Sequence, residues 1–258
     1  MLSYEEEGPK GAPSIVLVHG WPLDKSIWSV VSGRVARAGF RVLAPDLPGF
    51  GASPPLEPDE PTVESFASSV AAFLRTQGAA PVAFAGHSFG GYVALALAEA
   101  HPRTIAGLAL VSSRTIADSE AARRGREETI AKVSAQGTRA LLPGLAEKLL
   151  ARNAESGWVR AASALIEKAH PDGVVAALQA MARRPDRSLS LERFPGPLLV
   201  IHGEADELIP ITEAAKPRAP VGRVLSRVLP KVGHMPMWEA PKETADALIE
   251  WARAAFHL

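Results

Sequence analysis

Short apolar runs alternate with longer segments of helical periodicity along most of the chain. The runs that predict buried strands lie at 14–20, 40–46, 81–86, 105–113, 196–206 and 222–234. The segments that predict helices lie at 24–39, 62–78, 89–101, near 211–219 and from residue 241 onward. Strands that are apolar throughout are buried on both faces, and strands that alternate with helices form parallel sheets. The pattern therefore predicts an α/β protein with helices on both faces of a mostly parallel central sheet.

Two segments depart from this alternation. Residues 115–192 are rich in alanine, arginine, lysine and glutamate at helical spacing, and they contain no convincing strand. They predict a helical cap, or lid, inserted into a core domain made of residues 1–114 and 193–258. Near the N-terminus, "LSYEEEG" (2–8) is the only candidate strand before residue 14.

The segment "VAFAGHSFGGYVALALA" (82–98) changes from strand-forming to helix-forming composition around one serine. Ser88 has Gly86 and Gly90 two places to either side. A strand that becomes a helix without a loop bends sharply, which strains the residue at the bend and favours glycine where the backbone segments approach. This context makes the G-x-S-x-G pattern indicate a nucleophilic serine, held at a helix N-terminus where negative charge is stabilised.

A serine hydroxyl needs a histidine as base, and the histidine needs a carboxylate to fix its tautomer. Of the seven histidines, His234 is best placed, since it lies in the loop after the last predicted strand. Asp206 follows the preceding strand in "VIHGEADELIP", with room for a turn. Ser88, Asp206 and His234 are thus the predicted catalytic triad, in the chain order typical of this motif.

Acyl transfer also requires backbone N–H groups that face the developing oxyanion. One donor is expected from Phe89, the residue after the nucleophile. The other is expected from Trp21, in the loop that follows the strand at 14–20.

Three further residues are candidates for the wall of the substrate pocket. Arg114 follows the strand at 105–113, where it would bind a substrate carboxylate or form a salt bridge with the cap. Met235, next to His234, would line an acyl pocket or pack its loop, and Trp28 is the third candidate.

At this point the chain resembles the α/β-hydrolase superfamily over most of its length. The segments that carry the resemblance are "HGWPLD" (19–24), "DLPGFGAS" (46–53), "GHSFGG" (86–91), "GEADELIP" (203–210) and "GHMPMWEAP" (233–241). Within the superfamily they are similar to bacterial carboxylesterases and to the group of 3-oxoadipate enol-lactonases and cofactor-free haloperoxidases. The resemblance implies the α/β-hydrolase fold and the same triad and oxyanion donors. It disfavours members with an aspartate nucleophile, because position 88 is serine.

Composition limits the partners and cofactors. The chain has 28 basic and 28 acidic side chains, which gives no reason to expect a nucleic-acid or membrane partner. There is no cysteine, and no histidine or carboxylate cluster has the spacing of metal ligands, so we expect neither a metal nor another cofactor. The N-terminus lacks the pattern of a signal peptide, so the expected location is the cytoplasm. We expect a monomer or a small homo-oligomer.

The sequence therefore predicts a carboxylesterase that cleaves small to medium carboxylic esters through an acyl-enzyme. One alternative is an enol-lactonase or perhydrolase that uses the same triad. An alternative of another class is a ligand receptor that keeps the hydrolase pocket without catalysis.

Overall fold

The computed structural model of the protein describes residues 1–56, 61–142, 144–215 and 223–258. The strands in these ranges are β1 (Tyr4–Glu7), β2 (Ser14–Val18), β3 (Arg41–Pro45), β4 (Val82–His87), β5 (Ile105–Val111), β6 (Leu198–Gly203) and β7 (Val224–Leu229). They form one sheet in the order β1-β3-β2-β4-β5-β6-β7. Every neighbouring pair is parallel except β1 and β3, so the N-terminal strand forms an antiparallel edge.

Helices cover both faces of this sheet. They are α1 (Ser29–Arg37), α2 (Val63–Thr76), α3 (Phe89–Ala100), α4 (Glu120–Gln136), α5 (Leu145–Lys148), α6 (Ser156–Lys168), α7 (Pro171–Arg183), α8 (Ser188–Arg193), α9 (Pro236–Glu239) and α10 (Pro241–Phe256). Helix α1 packs against α10, and α2 packs against α3. The alternating pattern predicted this mostly parallel α/β sheet, and the strand order agrees with the α/β-hydrolase fold that the sequence resemblance implied.

The predicted helix near 211–219 is not found in the part of it that the structure describes. Residues 211–215 form turns, and residues 216–219 lie outside the described ranges. The backbone N–H of Ala215 donates to the carbonyl of Ser113, at the end of β5, instead of to a carbonyl one turn earlier. This contact with the sheet replaces the hydrogen bonds that a helix would need.

The segment between β5 and β6 is helical wherever it is described. It contains α4 to α8, and no strand is found in it across residues 115–142 and 144–192. Its helical content agrees with the sequence pattern. Its role as a separate cap over a core domain stays a prediction.

The topology brings the candidate catalytic residues to one edge of the sheet. Ser88 follows β4, Asp206 follows β6 and His234 follows β7. Because these strands are parallel, their carboxyl ends lie at the same edge, which is where α/β proteins place their sites.

Close backbone contact explains the two glycines that flank Ser88. A Cβ atom on Gly86 would lie 2.2 Å from the carbonyl oxygen of Gly90. A Cβ atom on Gly90 would lie 2.7 Å from the carbonyl oxygens of Val18 and His19. Strand β4 and helix α3 can therefore meet at the observed distance only if both positions lack a side chain.

We expect Gly86→Ala to lower the free energy of unfolding by about 3 kcal/mol, because backbone atoms cannot move aside for the new methyl group. Gly125→Ala is the matched control, since this exposed glycine in α4 has no atom within 4 Å of its Cβ position. There alanine should raise stability by about 0.5–1 kcal/mol. Urea denaturation measures both changes, and equal midpoints for Gly86→Ala and the unchanged protein would contradict the steric argument.

Candidate active site

Ser88 occupies a strained turn between β4 and α3. Its backbone has φ +50° and ψ −113°, a region that side-chain-bearing residues rarely adopt. The Ser88 N–H donates to the carbonyl of Val111 at 2.9 Å. The Ser88 carbonyl accepts from the Ser113 hydroxyl at 2.8 Å and from the Gly91 N–H at 2.9 Å. These bonds to β5 and α3 hold the turn in place, and the serine side chain keeps partial access to solvent.

His234 and Asp206 form a buried hydrogen-bonded pair. The Nδ1–H of His234 donates to Oδ2 of Asp206 at 2.7 Å. Oδ1 of Asp206 accepts from the backbone N–H groups of Leu208 and Ile209, each at 2.9 Å. Because Nδ1 carries the proton, the neutral imidazole has its free lone pair on Nε2, as a base for a serine hydroxyl requires.

The surroundings of Asp206 keep it ionised. Burial alone would raise the pKa of this carboxyl, but the charge and hydrogen bond of His234 and the backbone N–H of Ile209 lower the pKa below its ordinary value. The pair therefore combines an ionised carboxylate with an imidazole that the carboxylate holds in one orientation.

Two other buried histidines lie close to this pair and stay neutral. Burial lowers the pKa of His87 well below its ordinary value, and burial also lowers the pKa of His202. The Nε2–H of His87 donates to the backbone carbonyl of His234 at 2.8 Å, and that of His202 donates to the carbonyl of Ile209 at 2.7 Å. Both histidines thus support the His234–Asp206 pair without adding a charge that would oppose protonation of His234.

The loop that carries His234 is bonded to the helical segment beyond β5. The His234 N–H donates to the carbonyl of Leu149 at 3.1 Å. The half-buried carboxylate of Glu239 accepts from the N–H groups of Ala151 at 2.8 Å and Gly233 at 3.0 Å. Burial raises the pKa of Glu239, although these N–H groups act against that rise. Glu239 therefore joins the two segments directly.

Backbone N–H groups of Trp21 and Phe89 are available at the site. Within the described residues, neither group donates to another protein atom. Phe89 is the first residue of α3, so its N–H points out of the helix N-terminus. The loop of Trp21 is shaped by the buried ring of His19, which donates from Nδ1 to the Gly20 carbonyl at 3.0 Å and accepts at Nε2 from the Leu47 N–H at 2.9 Å.

Ser88 and His234 line one cavity of about 230 Å³. Its other lining residues are Trp21, Tyr92, Arg114, Arg126, Leu145, Met181, Leu208 and Ile209. At about 30 Å³ per molecule, the volume corresponds to roughly eight waters, which suits a small organic substrate. A larger cavity of about 610 Å³ lies beside Pro54, Leu56 and Phe73, but its described lining contains no histidine or carboxylate.

Of the three pocket-wall candidates from the sequence, one lines the cavity and two are absent from its described lining. Arg114 lines the cavity, and it also forms ion pairs with Asp118 and Glu213. Trp28 and Met235 are fully buried and are absent from the described lining of this cavity. Trp28 instead packs edge-on against the ring of His87, with ring centroids 6.4 Å apart. These two side chains therefore belong to the buried packing around the site and do not form part of the described cavity wall.

Several residues around the cavity were missed from the sequence. Tyr92 lies four residues after Ser88, one turn into α3, and this spacing was an available signal. Arg126 lies on α4 and Met181 on α7, so only the packing of those helices brings them here. Glu239 had no sequence signal, because its role depends on backbone groups that distant segments present.

The sequence model that matches this chain covers residues 15–247 and describes the alpha/beta hydrolase family. The chain belongs to this family. Among alpha/beta hydrolases, it is 31% identical over 254 residues to the pimeloyl-[acyl-carrier protein] methyl ester esterase of Aromatoleum aromaticum, a match that covers 92% of this chain and 97% of the relative.

Solved alpha/beta hydrolase structures agree with this assignment. A thermophilic esterase from Thermogutta terrifontis, solved with malate bound, superimposes with a TM-score of 0.90 at 31% identity over 98% of this chain and 93% of that one. The enol-lactonase from Burkholderia xenovorans has a TM-score of 0.82 at 23% identity, over 97% of this chain and 95% of that one, and shares the fold. The resemblance to the α/β-hydrolase superfamily, and within it to esterases, is therefore confirmed.

Two negative observations apply to the described parts of this alpha/beta hydrolase. There, no group of three or more histidine and carboxylate side chains is arranged to hold a metal ion. None of the helices in those ranges is both long and apolar enough to cross a membrane.

Proposed function

We propose that the protein is a serine carboxylesterase that hydrolyses small carboxylic esters through an acyl-enzyme. The observation that carries the proposal is the bonded His234–Asp206 pair, whose imidazole lines the same small cavity as the strained Ser88. The esterase activity named for two relatives at 31% identity supports the same reaction class.

The proposed reaction has two halves. His234 takes the proton of Ser88 as the serine oxygen bonds to the ester carbonyl, and the N–H groups of Trp21 and Phe89 stabilise the oxyanion. The ester C–O bond then breaks, and the alcohol leaves with the proton from His234. Water, deprotonated by His234, attacks the acyl-serine. The bond between the acyl carbon and the Ser88 oxygen then breaks, and His234 returns the proton to Ser88 as the carboxylic acid leaves. Asp206 stabilises the imidazolium that forms in each half.

Labelling and turnover together test this function. A fluorophosphonate probe should attach to Ser88, and peptide mass spectrometry locates the adduct. A series of p-nitrophenyl esters from acetate to decanoate should show the highest kcat/KM for the short acyl chains, because the cavity is small. A chain that neither takes up the probe nor hydrolyses any ester would favour a non-catalytic receptor. Turnover confined to enol-lactones or to peracid formation would favour the lactonase or perhydrolase alternative.

A further inference from the structure

Three arginines and two carboxylates form a connected group at the wall of the cavity, and we call this group the arginine cluster. Asp118 pairs with Arg114 at 2.9 Å, with Arg184 at 2.8 Å and also with Arg126. Arg114 pairs in addition with Glu213. The cluster joins the chain after β5, helix α4 and the end of α7 to the turn that follows β6.

The arginine cluster has an excess of positive charge. Its three guanidinium groups stay protonated at any working pH, and they share only two carboxylates. Burial would raise the pKa of Asp118, but the hydrogen bond and charge of Arg126, together with Arg184, lower the pKa below its ordinary value. Asp118 is therefore ionised, and one guanidinium charge has no carboxylate of its own in the described residues. An unbalanced charge in a partly buried site favours binding of an anion.

This excess charge is close to the reacting atoms. Arg114 and Arg126 line the same cavity as Ser88, and their side chains are 15% and 19% exposed. The Nε–H of Arg114 is buried and has no hydrogen-bond acceptor in the described residues. Arg184 stacks on the ring of Tyr92, with its guanidinium carbon 4.0 Å from the ring centroid, which fixes the cluster against α3. A ligand that fills 230 Å³ beside Ser88 therefore lies near guanidinium groups.

We propose that the site takes esters that carry a second, ionised carboxylate, which the arginine cluster binds. This inference rests on the proposed function, because it names the substrate class of the same site. Guanidinium groups bind carboxylates through charge-assisted hydrogen bonds, often two at once. The carboxylate belongs either to the acyl half or to the alcohol half of the ester, and the experiment separates the two sources.

Two matched pairs of substrates test the inference on the unchanged protein. Monoethyl succinate carries the carboxylate on the acyl half, and ethyl succinamate replaces it with a neutral amide of the same shape. Carboxymethyl butyrate and carbamoylmethyl butyrate form the corresponding pair for the alcohol half. At neutral pH we expect kcat/KM to be at least about tenfold higher for the anion in one pair, mainly through a lower KM. A ratio near one in both pairs overturns the inference even if all four esters are hydrolysed.

Substitutions in the arginine cluster test whether it causes the preference for anionic over neutral esters. In Arg126→Gln and Arg114→Gln the anion-to-amide ratio should fall to within about threefold of one, because the charged guanidinium that distinguishes the carboxylate from the amide is removed. Arg124→Gln is the matched control on the same helix, because Arg124 is exposed and pairs only with Glu120 in the described residues. A ratio that stays high in both cluster variants, with the fold intact by circular dichroism, overturns the assignment. Failure of either variant to fold leaves the ratio in the unchanged protein as the deciding result.

Affinity measurements on an inactive variant distinguish failure of this inference from failure of the proposed function. In Ser88→Ala, NMR titration with monoethyl succinate and ethyl succinamate measures affinity without turnover, and the alcohol-half pair is titrated in the same way. Tighter binding of the anion in one pair, by about tenfold, supports the inference even if the unchanged protein hydrolyses no ester. Equal affinity within both pairs overturns it, while hydrolysis of the neutral esters would leave the esterase function standing.

Discussion

Replacing Ser88 by alanine is expected to lower kcat/KM for p-nitrophenyl butyrate by about 10³ to 10⁶, because the acyl-enzyme cannot form without the hydroxyl. The stability of the folded state should change little. The Ser88 hydroxyl makes no hydrogen bond to another described residue, and the turn is held by backbone bonds that alanine keeps. We expect the free energy of unfolding to change by less than about 1 kcal/mol.

Steady-state kinetics and thermal denaturation measure these two effects on the same samples. Ser69→Ala is the matched control, since the Ser69 hydroxyl donates to the Ser65 carbonyl within α2 and Ser69 is absent from the described lining of the cavity beside Ser88. It should leave kcat/KM unchanged. If Ser88→Ala kept more than about a tenth of the activity, another nucleophile or an unassisted water would have to carry the reaction.

The second large effect is expected for Asp206→Asn, with a loss in kcat of about 10⁴. The asparagine oxygen would take the place of Oδ1 and accept from the N–H groups of Leu208 and Ile209. Its NH2 group would then face Nδ1 of His234, which must give up its proton there. The imidazole proton moves to Nε2, so the nitrogen that should accept the serine proton no longer can.

A substitution at the neighbouring position is the matched control for Asp206→Asn. Glu207→Gln changes the next residue in the same turn, but Glu207 pairs on the surface with Arg152, so activity should stay within about twofold. The NMR signal of the imidazole nitrogens reports which of them is protonated in each variant. An Asp206→Asn protein that kept full activity, or that kept the proton on Nδ1, would show that Asp206 does not act by orienting His234.

The sheet and its edge were predictable because they depend on local pattern. Every apolar run that predicted a strand forms one, and the turn between β4 and α3 lies where the glycine spacing required it. The positions of Asp206 and His234 after successive strands predicted their proximity, and the structure brings them within 2.7 Å. Their catalytic roles, and that of Ser88, stay predictions until the variants are measured.

The cavity wall was less predictable, because helices far apart in the chain build it. Helical periodicity gave α4 and α7 but not the way they pack, so Arg126 and Met181 had no signal for a position beside Ser88. Met235 was a candidate for the pocket wall because it adjoins His234 in the sequence, and Trp28 was a further candidate. Packing decides otherwise, and both side chains lie entirely within the apolar core.

The hydrogen bonds from His234 to Leu149 and from Ala151 to Glu239 limit which helical segments of this protein can be exchanged for those of a relative. A graft that imports residues 115–192 from a relative would deprive the histidine loop of both anchors unless the donor presents the same backbone groups. Exchanging only α6 and α7 would leave the anchors in place and still alter the wall at Met181. The substrate range can thus be redesigned through α6 and α7. The segment that contains Leu149 and Ala151 must be kept from the same protein as the loop of His234.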